Sequence, residues 1–338
     1  MRVLIIGGTG NISREITRQA AQAGHEVFLF NRGQRTDADT SVAAKVILGD
    51  RTIPGELASK LKGYEFDVVI DMLSFNADDA KTTLEAVGDR TGHLIFTSSV
   101  AVYAEPPRRI PIIEDGAVLR TDDSFPYGFQ KANMERYLKT VETKYPITII
   151  RPSLTFGIGC SNIGILRQNA NIARRIMDDK PLVMMGDGTN TWTFTFSPDL
   201  ARAYVLSLNN PATFGRTFHV TSGFVHIWDD LYTTIGDILG KNPRIVHVPS
   251  EMLNDIDSTL FGHLQMEKKY FGYFDCSSFR EAVPEWRPEY DLHRGMEMIC
   301  AWWRDNGYPY EEDNDRLETL ICEGMLQATV KIKEKMAL

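Results

Sequence analysis

Val3-Leu4-Ile5-Ile6-Gly7-Gly8-Thr9-Gly10-Asn11-Ile12-Ser13-Arg14 sets a short aliphatic run, a glycine-rich loop and the start of a helical pattern in that order. An apolar run of this length that stops at glycine reads as a buried strand, and residues 14–23 read as the helix that follows. Glycine at 7, 8 and 10 lets the backbone turn tightly and approach a pyrophosphate, whose charge then rests on the helix N-terminus. Gly7, Thr9, Gly10, Asn11 and Ile12 are therefore the candidate phosphate-binding residues. Ser13 stands where a further glycine is usual, which predicts slightly looser helix-strand packing without blocking the phosphates.

The rhythm continues outward from this stretch. Strand-like runs at 27–30, 45–48, 67–71, 93–97 and 147–151 alternate with helical patterns, as parallel strands joined by crossover helices require. The expected fold is α/β: a Rossmann doubly wound parallel sheet with a smaller, sequence-interleaved C-terminal substrate-binding domain. After Pro152 come loops rich in Gly, Asn and Asp, helical stretches near 163–177, 197–208 and 228–239, and short strand candidates at 218–220 and 245–248. The expected division is residues 1–156 for the dinucleotide domain, with later returns near 187–222. Residues 157–186 and 223–312 form the substrate portion, and 313–338 a C-terminal helix. On that helix Leu317, Leu320, Ile321, Gly324, Met325 and Ala328 share one face, suited to packing onto the body or to a subunit contact.

The second strand-like run ends in Phe30-Asn31-Arg32-Gly33. An NAD-selective site places an acid here to bind the ribose 2′-hydroxyl, and that acid repels a 2′-phosphate. Asn31 does not repel it, and the planar fork of Arg32 suits a phosphate, so NADP(H) is favoured over NAD(H). Asp50, within Gly49-Asp50-Arg51, is placed to accept from the adenine amino group, with Arg51 and Leu73 completing the expected cofactor contacts.

Tyr127-Gly128-Phe129-Gln130-Lys131 spaces a phenol and an ammonium by four residues, one above the other on a helix. A cation so placed stabilises the phenolate and can hold the nicotinamide ribose. Thr97-Ser98-Ser99 ends the preceding strand, where loops beyond strand C-termini carry ligands. Ser99 is expected to donate to the substrate oxygen while Tyr127 passes the proton.

These stretches together resemble the extended short-chain dehydrogenases/reductases of the NAD-dependent epimerase/dehydratase family. The matching residues run from Gly7 through Asp50, then Ser98 to Tyr103, Tyr127 to Lys131 with Glu135, Arg151-Pro152-Ser153, and Gly186-Asp187-Gly188 followed by Asp199. The resemblance implies that Ser99, Tyr127 and Lys131 form the catalytic triad, that Pro152 and its neighbours line the nicotinamide end, and that the chain can form a homodimer. Three departures bear on the chemistry. Val100-Ala101 replaces the Asp-Glu pair of the dehydrating members, which disfavours elimination of water. Trp192 stands where nucleotide-sugar epimerases usually carry an arginine for the substrate diphosphate; an indole can stack on a ring or simply fill the core. The usual substrate-facing loop after Asp71 is short. The expected reaction is hydride transfer at a secondary alcohol or ketone of a sugar-like or cyclic small molecule that is not a UDP- or dTDP-sugar. Two other readings stand beside it. One is a nucleotide-sugar epimerase that uses Arg167, Arg174 or Arg175 in place of the missing arginine. The other is a non-catalytic dinucleotide sensor or RNA-associated protein, which the retained Tyr127 and Lys131 disfavour.

Composition sets outer bounds. A chain of 338 residues, 43% of them apolar, can bury a full core, and its net charge of −8 opposes nucleic acid as main partner. Cys160, Cys276, Cys300 and Cys322 are scattered, with no CxxC pair and no histidine cluster, so neither zinc nor a disulfide framework is expected. No run reaches the roughly 18 apolar residues of a membrane span, and the expected compartment is the cytoplasm.

Overall fold

Seven strands, mostly buried and rich in aliphatic residues, each ending in a turn or loop, assemble into one parallel sheet in the computed structural model, which describes residues 1–35, 39–159, 163–166 and 171–336. They are β1 (Arg2–Ile6), β2 (Glu26–Asn31), β3 (Lys45–Leu48), β4 (Phe66–Asp71), β5 (Thr91–Thr97), β6 (Ile147–Pro152) and the strand Thr217–Val220. Their order is β3-β2-β1-β4-β5-β6 and then Thr217–Val220, with every neighbouring pair parallel.

The alternation of side chains along each strand explains how two layers of helices cover this sheet. Val3, Ile5, Val27, Leu29, Val68, Ile70 and Ile95 face one side, against Ile16 and Ala20 of α1 (Asn11–Gln22) and Leu200, Ala203 and Tyr204 of the helix Ser197–Ser207. Leu4, Ile6, Phe28, Phe30, Val69, Leu94 and Phe96 face the other. They meet Leu57 of α2 (Glu56–Lys60), Ala80 and Leu84 of α3 (Ala77–Val87), and Met134 and Leu138 of α4 (Pro126–Thr140). The chain runs outward from β1 to β3 and returns to β4. The reversal opens a crevice beyond the C-terminal ends of β1 and β4.

The chain divides into two compact units, Met1–Thr155 with Thr195–Gly223 and Phe274–Glu289, and Phe156–Phe194 with Phe224–Tyr273 and Tyr290–Leu338. The return to the first unit therefore starts at Thr195 rather than near 187. A second return, Phe274–Glu289, lies within the stretch that the expected division gives to the substrate portion. The physical reason is a cluster of apolar residues without strand periodicity: Phe279, Val283 and Trp286 fill the core beside Phe218, and the Trp286 indole donates to the Asp199 carbonyl at 2.9 Å.

Within the second unit, Leu182–Met185 pairs in parallel with Ile245–Val248, and His226–Ile227 pairs antiparallel with Thr191–Trp192. Of the helical stretch expected at 163–177, the described helix is Ile172–Met177; Gly164 has φ +85, and Arg167 and Cys160 lie outside the described residues. The last helix, Glu312–Met336, buries Asp315, Glu318, Ile321 and Cys322, whereas Leu320 is 59% exposed. The packed face is thus turned away from the purely apolar one read from sequence. Charge decides this: the buried Arg175 guanidinium pairs with Asp315 at 2.7 Å and Glu318 at 3.3 Å, and the Glu318 carboxylate accepts from the Val183 N–H. No helix among the described residues is long and apolar enough to cross a membrane.

Candidate active site

A cavity of about 390 Å³ opens at the crevice between β1 and β4. Its wall includes Gly7, Thr9, Gly10, Asn31, Arg32, Asp50, Arg51 and Leu73, eight of the residues read as cofactor-binding. Gly7 has φ +92, a conformation that disfavours any side chain, and a Cβ there would lie 2.6 Å from Leu73 Cγ. The loop is tied from below. Ser13 Oγ donates to the Gly7 carbonyl at 2.6 Å and accepts from the Gly10 N–H at 2.8 Å, and Thr17 Oγ1 donates to the Gly8 carbonyl at 3.1 Å. Ser13 therefore staples the loop to α1, in place of the looser packing expected from the missing glycine. Asn11 and Ile12 open α1, where N–H groups have no intrahelical acceptor and can receive an anion. The Ile12 side chain itself packs on the core, so only its backbone is available to a ligand.

The adenosine end fits a nucleotide on one observation in particular. Asn31 Oδ1 accepts from the Gly33 N–H at 2.9 Å, while its Nδ2 is buried and meets no acceptor among the described residues. A buried donor left unmatched costs about 1–3 kcal/mol, and a ribose or phosphate oxygen in the cavity removes that penalty. Arg32 and Arg35 line the same wall. Across from them, the Asp50 carboxylate accepts from the backbone and hydroxyl of Thr52 at 2.9 and 2.7 Å; these bonds first, and the nearby Arg32 charge last, hold it below the usual carboxylate range.

Arg51 behaves differently from the expectation. It borders the cavity, but its side chain is 7% exposed and its guanidinium is turned inward. There it meets Asp71 at 3.2 and 3.3 Å, Ser74 Oγ and Thr83 Oγ1 at 3.3 Å, and the Asp79 carbonyl at 2.7 Å. Its guanidinium nitrogens are therefore engaged in a structural clamp on these groups while the residue borders the cavity.

Phe75 leads from the cavity to the Tyr-Lys pair. Its ring lines the cavity, lies 4.7 Å from Lys131 Nζ and stands 6.5 Å from the Tyr127 ring. Lys131 is buried in α4, and its ammonium donates to the carbonyls of Ser74 and Thr97, each at 2.7 Å. Two of its three donors are so occupied, which leaves one for a ligand. Burial pulls its pKa down to about 8, opposed chiefly by the negative charges of Asp71 and Glu135. Tyr127, one turn earlier, is 42% exposed. Ser99 is half-buried and caps the short 3-10 turn Val100–Val102, accepting from the Ala101 N–H at 3.2 Å.

Gly128 brings the Ser99 turn and the Tyr127 turn together. A Cβ at 128 would sit 2.2 Å from the Ala101 carbonyl oxygen, backbone that cannot move aside cheaply. Gly128→Ala is expected to destabilise the chain by about 1–3 kcal/mol, as overpacking does, and to push α4 off the serine turn. Urea unfolding of the variant checks this, and unchanged stability would contradict the close approach.

A model of the NAD dependent epimerase/dehydratase family matches residues 3–220. The chain belongs to that family. Among similar proteins, 2'-dehydrokanamycin reductase of Streptomyces kanamyceticus is 25% identical over 253 residues, 74% of this chain and 70% of the relative. The chloroplast stem-loop binding protein of 41 kDa b of Arabidopsis thaliana is 26% identical over 313 residues, 87% and 77% of the two chains. In structure, the UDP-glucose 4-epimerase of Thermus thermophilus in complex with NAD matches with a TM-score of 0.72 and 18% identity, covering 90% of this chain and 99% of that one. That likeness is one of fold.

The epimerase/dehydratase motif positions outside the cavity have structural explanations here. Glu135 and Arg151 form a bidentate ion pair, both fully buried. Glu135 also accepts from Ser98 Oγ at 2.5 Å, directly before Ser99. Arg151 donates to the Tyr103 hydroxyl at 2.5 Å, which meets His219 Nε2 at the same distance. Pro152 is buried at the end of β6, in register with Val220, and is not part of the cavity wall. Trp192, read as a possible substrate contact, is fully buried against Trp228 and under Lys268 Nζ, 4.1 Å from its ring centroid. Gly272 leaves room for that indole, which places it in the core and not against a substrate. Arg174 is also engaged, donating to the Gly307 carbonyl at 2.9 Å and lying over the Tyr310 ring. Sequence reading missed Phe75, Arg35 and the Asp71 cluster. Asp71 alone carried a signal, a carboxylate at the C-terminal end of β4 directly after the apolar run Val68-Val69-Ile70.

Proposed function

We propose that this family member is a reductase, or the reverse oxidase, of a ketone or secondary alcohol on a sugar-like or cyclic small molecule, with NADP(H) preferred to NAD(H). The observation that carries the reading is the buried Lys131 ammonium, clamped between two carbonyls on the turn below Tyr127, with Phe75 joining it to the cavity. When bound, the nicotinamide supplies or accepts the hydride at the carbon that bears oxygen.

The protein's own groups do the rest. Tyr127 donates its phenolic proton to the substrate oxygen as the carbonyl is reduced, and takes it back in the oxidative direction. Ser99 donates a hydrogen bond to that oxygen, in the place where negative charge develops. Lys131, positive below its pKa of about 8, favours the phenolate left on Tyr127, and its remaining N–H is free to hold a ribose hydroxyl. Arg32 and the unmatched Asn31 Nδ2 favour an anionic 2′-phosphate. Because Arg175 is held by Asp315 and Glu318, and Trp192 is buried, neither offers a diphosphate a partner, which supports a substrate without one.

Nucleotide-site specificity is testable before any substrate is known. Arg32→Ala is expected to weaken NADPH binding roughly tenfold or more relative to NADH, the scale of one charge-assisted hydrogen bond. Isothermal calorimetry with both nucleotides reads the ratio directly, and an unchanged ratio rejects the 2′-phosphate assignment. The stem-loop-binding relative supplies a second reading, binding of nucleic acid on the same fold. The net charge of −8 opposes it, and a labelled RNA hairpin that binds as tightly as NADPH would favour it.

A further inference from the structure

Asp71 ends β4 fully buried, and a buried carboxylate needs partners. Its oxygens accept from the N–H groups of Leu73 and Ser74 at 2.7 and 2.8 Å, from Ser74 Oγ at 2.6 Å and from Thr83 Oγ1 at 2.5 Å. Those bonds fold residues 71–74 into a tight turn whose Ser74 carbonyl points at Lys131 Nζ. Arg51 reaches in from the loop after β3 and grips both ends of the turn. Its Nη1 pairs with Asp71, and its Nη2 donates to the carbonyl of Asp79, whose carboxylate in turn accepts from the Phe75 N–H at 2.8 Å. One continuous set of bonds thus runs from the Asp50-Arg51 segment on the cavity wall, through Asp71 and Ser74, to the lysine on α4.

We propose that Arg51 is a positioning residue for Lys131: by clamping Asp71 and the turn that follows, it fixes the Ser74 carbonyl that holds the ammonium and balances the charge beside it. The inference rests on the dinucleotide and Ser-Tyr-Lys reading above, and it gives Arg51 a role that does not involve touching the cofactor. Charged and titratable groups around Lys131 come from every element packed on it: Asp71 from β4, Arg51 from the loop after β3, Asp79 from α3, and Glu135 and Tyr127 from α4 itself. The Phe75 ring and the Thr97 carbonyl complete the surroundings, with the Tyr204 hydroxyl bonded to Thr97 Oγ1 at 2.8 Å.

The signs follow from this arrangement. Without Arg51, the Asp71 charge stands uncompensated beside the ammonium and favours its protonated form. Without the Asp71 charge, Arg51 alone faces the ammonium and disfavours that form. Opposite shifts report the charge balance that the Arg51-Asp71 pair sets at Lys131, whereas a pair that only stabilises the fold leaves the midpoint in place under both substitutions.

The test is a titration of Lys131 in the full chain labelled at lysine Cε with ¹³C, the resonance assigned by its loss in Lys131→Arg. Wild type is expected to titrate near the midpoint of about 8. Arg51→Met is expected to move it up, and Asp71→Asn down, each by roughly one pH unit, while Arg51→Lys stays close to wild type. If Arg51→Met does not fold, the contrast between Arg51→Lys and Asp71→Asn decides. Midpoints that stay in place, or move in the same direction, overturn the inference. Calorimetry with NADPH and NADH on the wild type separates the two claims, because absence of binding of both removes the dinucleotide reading whatever the lysine does.

Discussion

Tyr127→Phe is expected to lower turnover by about 10²–10⁴-fold on the ketone or alcohol that a screen with NADPH identifies, the usual contribution of a positioned proton donor. The substitution removes one oxygen from a ring that is 42% exposed, so the fold should be nearly unaffected. Nucleotide affinity should also persist, because the phenol does not belong to the cavity wall formed by the glycine loop, Arg32 and Asp50. The effect should therefore fall on kcat, with NADPH binding within a factor of about two by calorimetry, since a surface change away from the nucleotide leaves its contacts in place. A variant that keeps most of its turnover would assign the proton to another group and leave Lys131 clamped for a different reason.

Glu135→Ala is expected to destabilise the chain by about 3–5 kcal/mol, because it leaves the fully buried Arg151 guanidinium without its carboxylate. Asp/Glu-to-Ala changes at exposed pairs lie within about 1 kcal/mol, so the magnitude itself reports the burial. Loss spreads in two directions. Ser98 loses its acceptor directly before Ser99, and Tyr103 is left with Arg151 turned toward it and His219 behind it. Burial already holds the Tyr103 hydroxyl above its ordinary pKa, so it does not ionise to supply the missing negative charge near neutral pH, and burial first, with the Arg151 charge behind it, pulls His219 down to about 3 and keeps it neutral. Urea denaturation followed by circular dichroism reads the stability. Glu135→Gln, which keeps an acceptor for Ser98 and loses only the charge, should fall between wild type and Glu135→Ala. Equal stability of Glu135→Ala and wild type would show that the pair contributes nothing net.

Much of the dinucleotide half was legible because its requirements are local. A glycine loop between an aliphatic run and a helix, Asn31-Arg32 at the end of the next run and Asp50 after the third all follow from short-range geometry, and the cavity gathers these positions on one wall. What stayed hidden depends on long-range pairing. Arg51 reads as one more cavity residue until Asp71, Ser74, Thr83 and Asp79, 20 to 32 positions away, turn its guanidinium inward. Phe75 reads as part of a short loop, and only the approach of the turn after β4 to α4 sets Lys131 Nζ over its ring. Trp192 fails in the same way: an aromatic after a Gly-Asp-Gly turn is compatible with a ligand contact, but Lys268 and Gly272 come from distant segments and enclose it. The last helix does pack onto the body, one of its two readings, but the face it buries is chosen by Arg175 from a distant segment. The second return to the first unit was invisible for a related reason: Phe279, Val283 and Trp286 cover the core from a short helix and loop that carry no strand rhythm.

The most direct test of the central claim is calorimetric titration of the purified chain with NADPH and NADH, after any bound nucleotide has been released and identified. One site per chain, with NADPH bound roughly tenfold more tightly than NADH, is the result expected from Arg32 and the unmatched Asn31 amide beside the glycine cradle. No measurable binding of either nucleotide would contradict the account at its root.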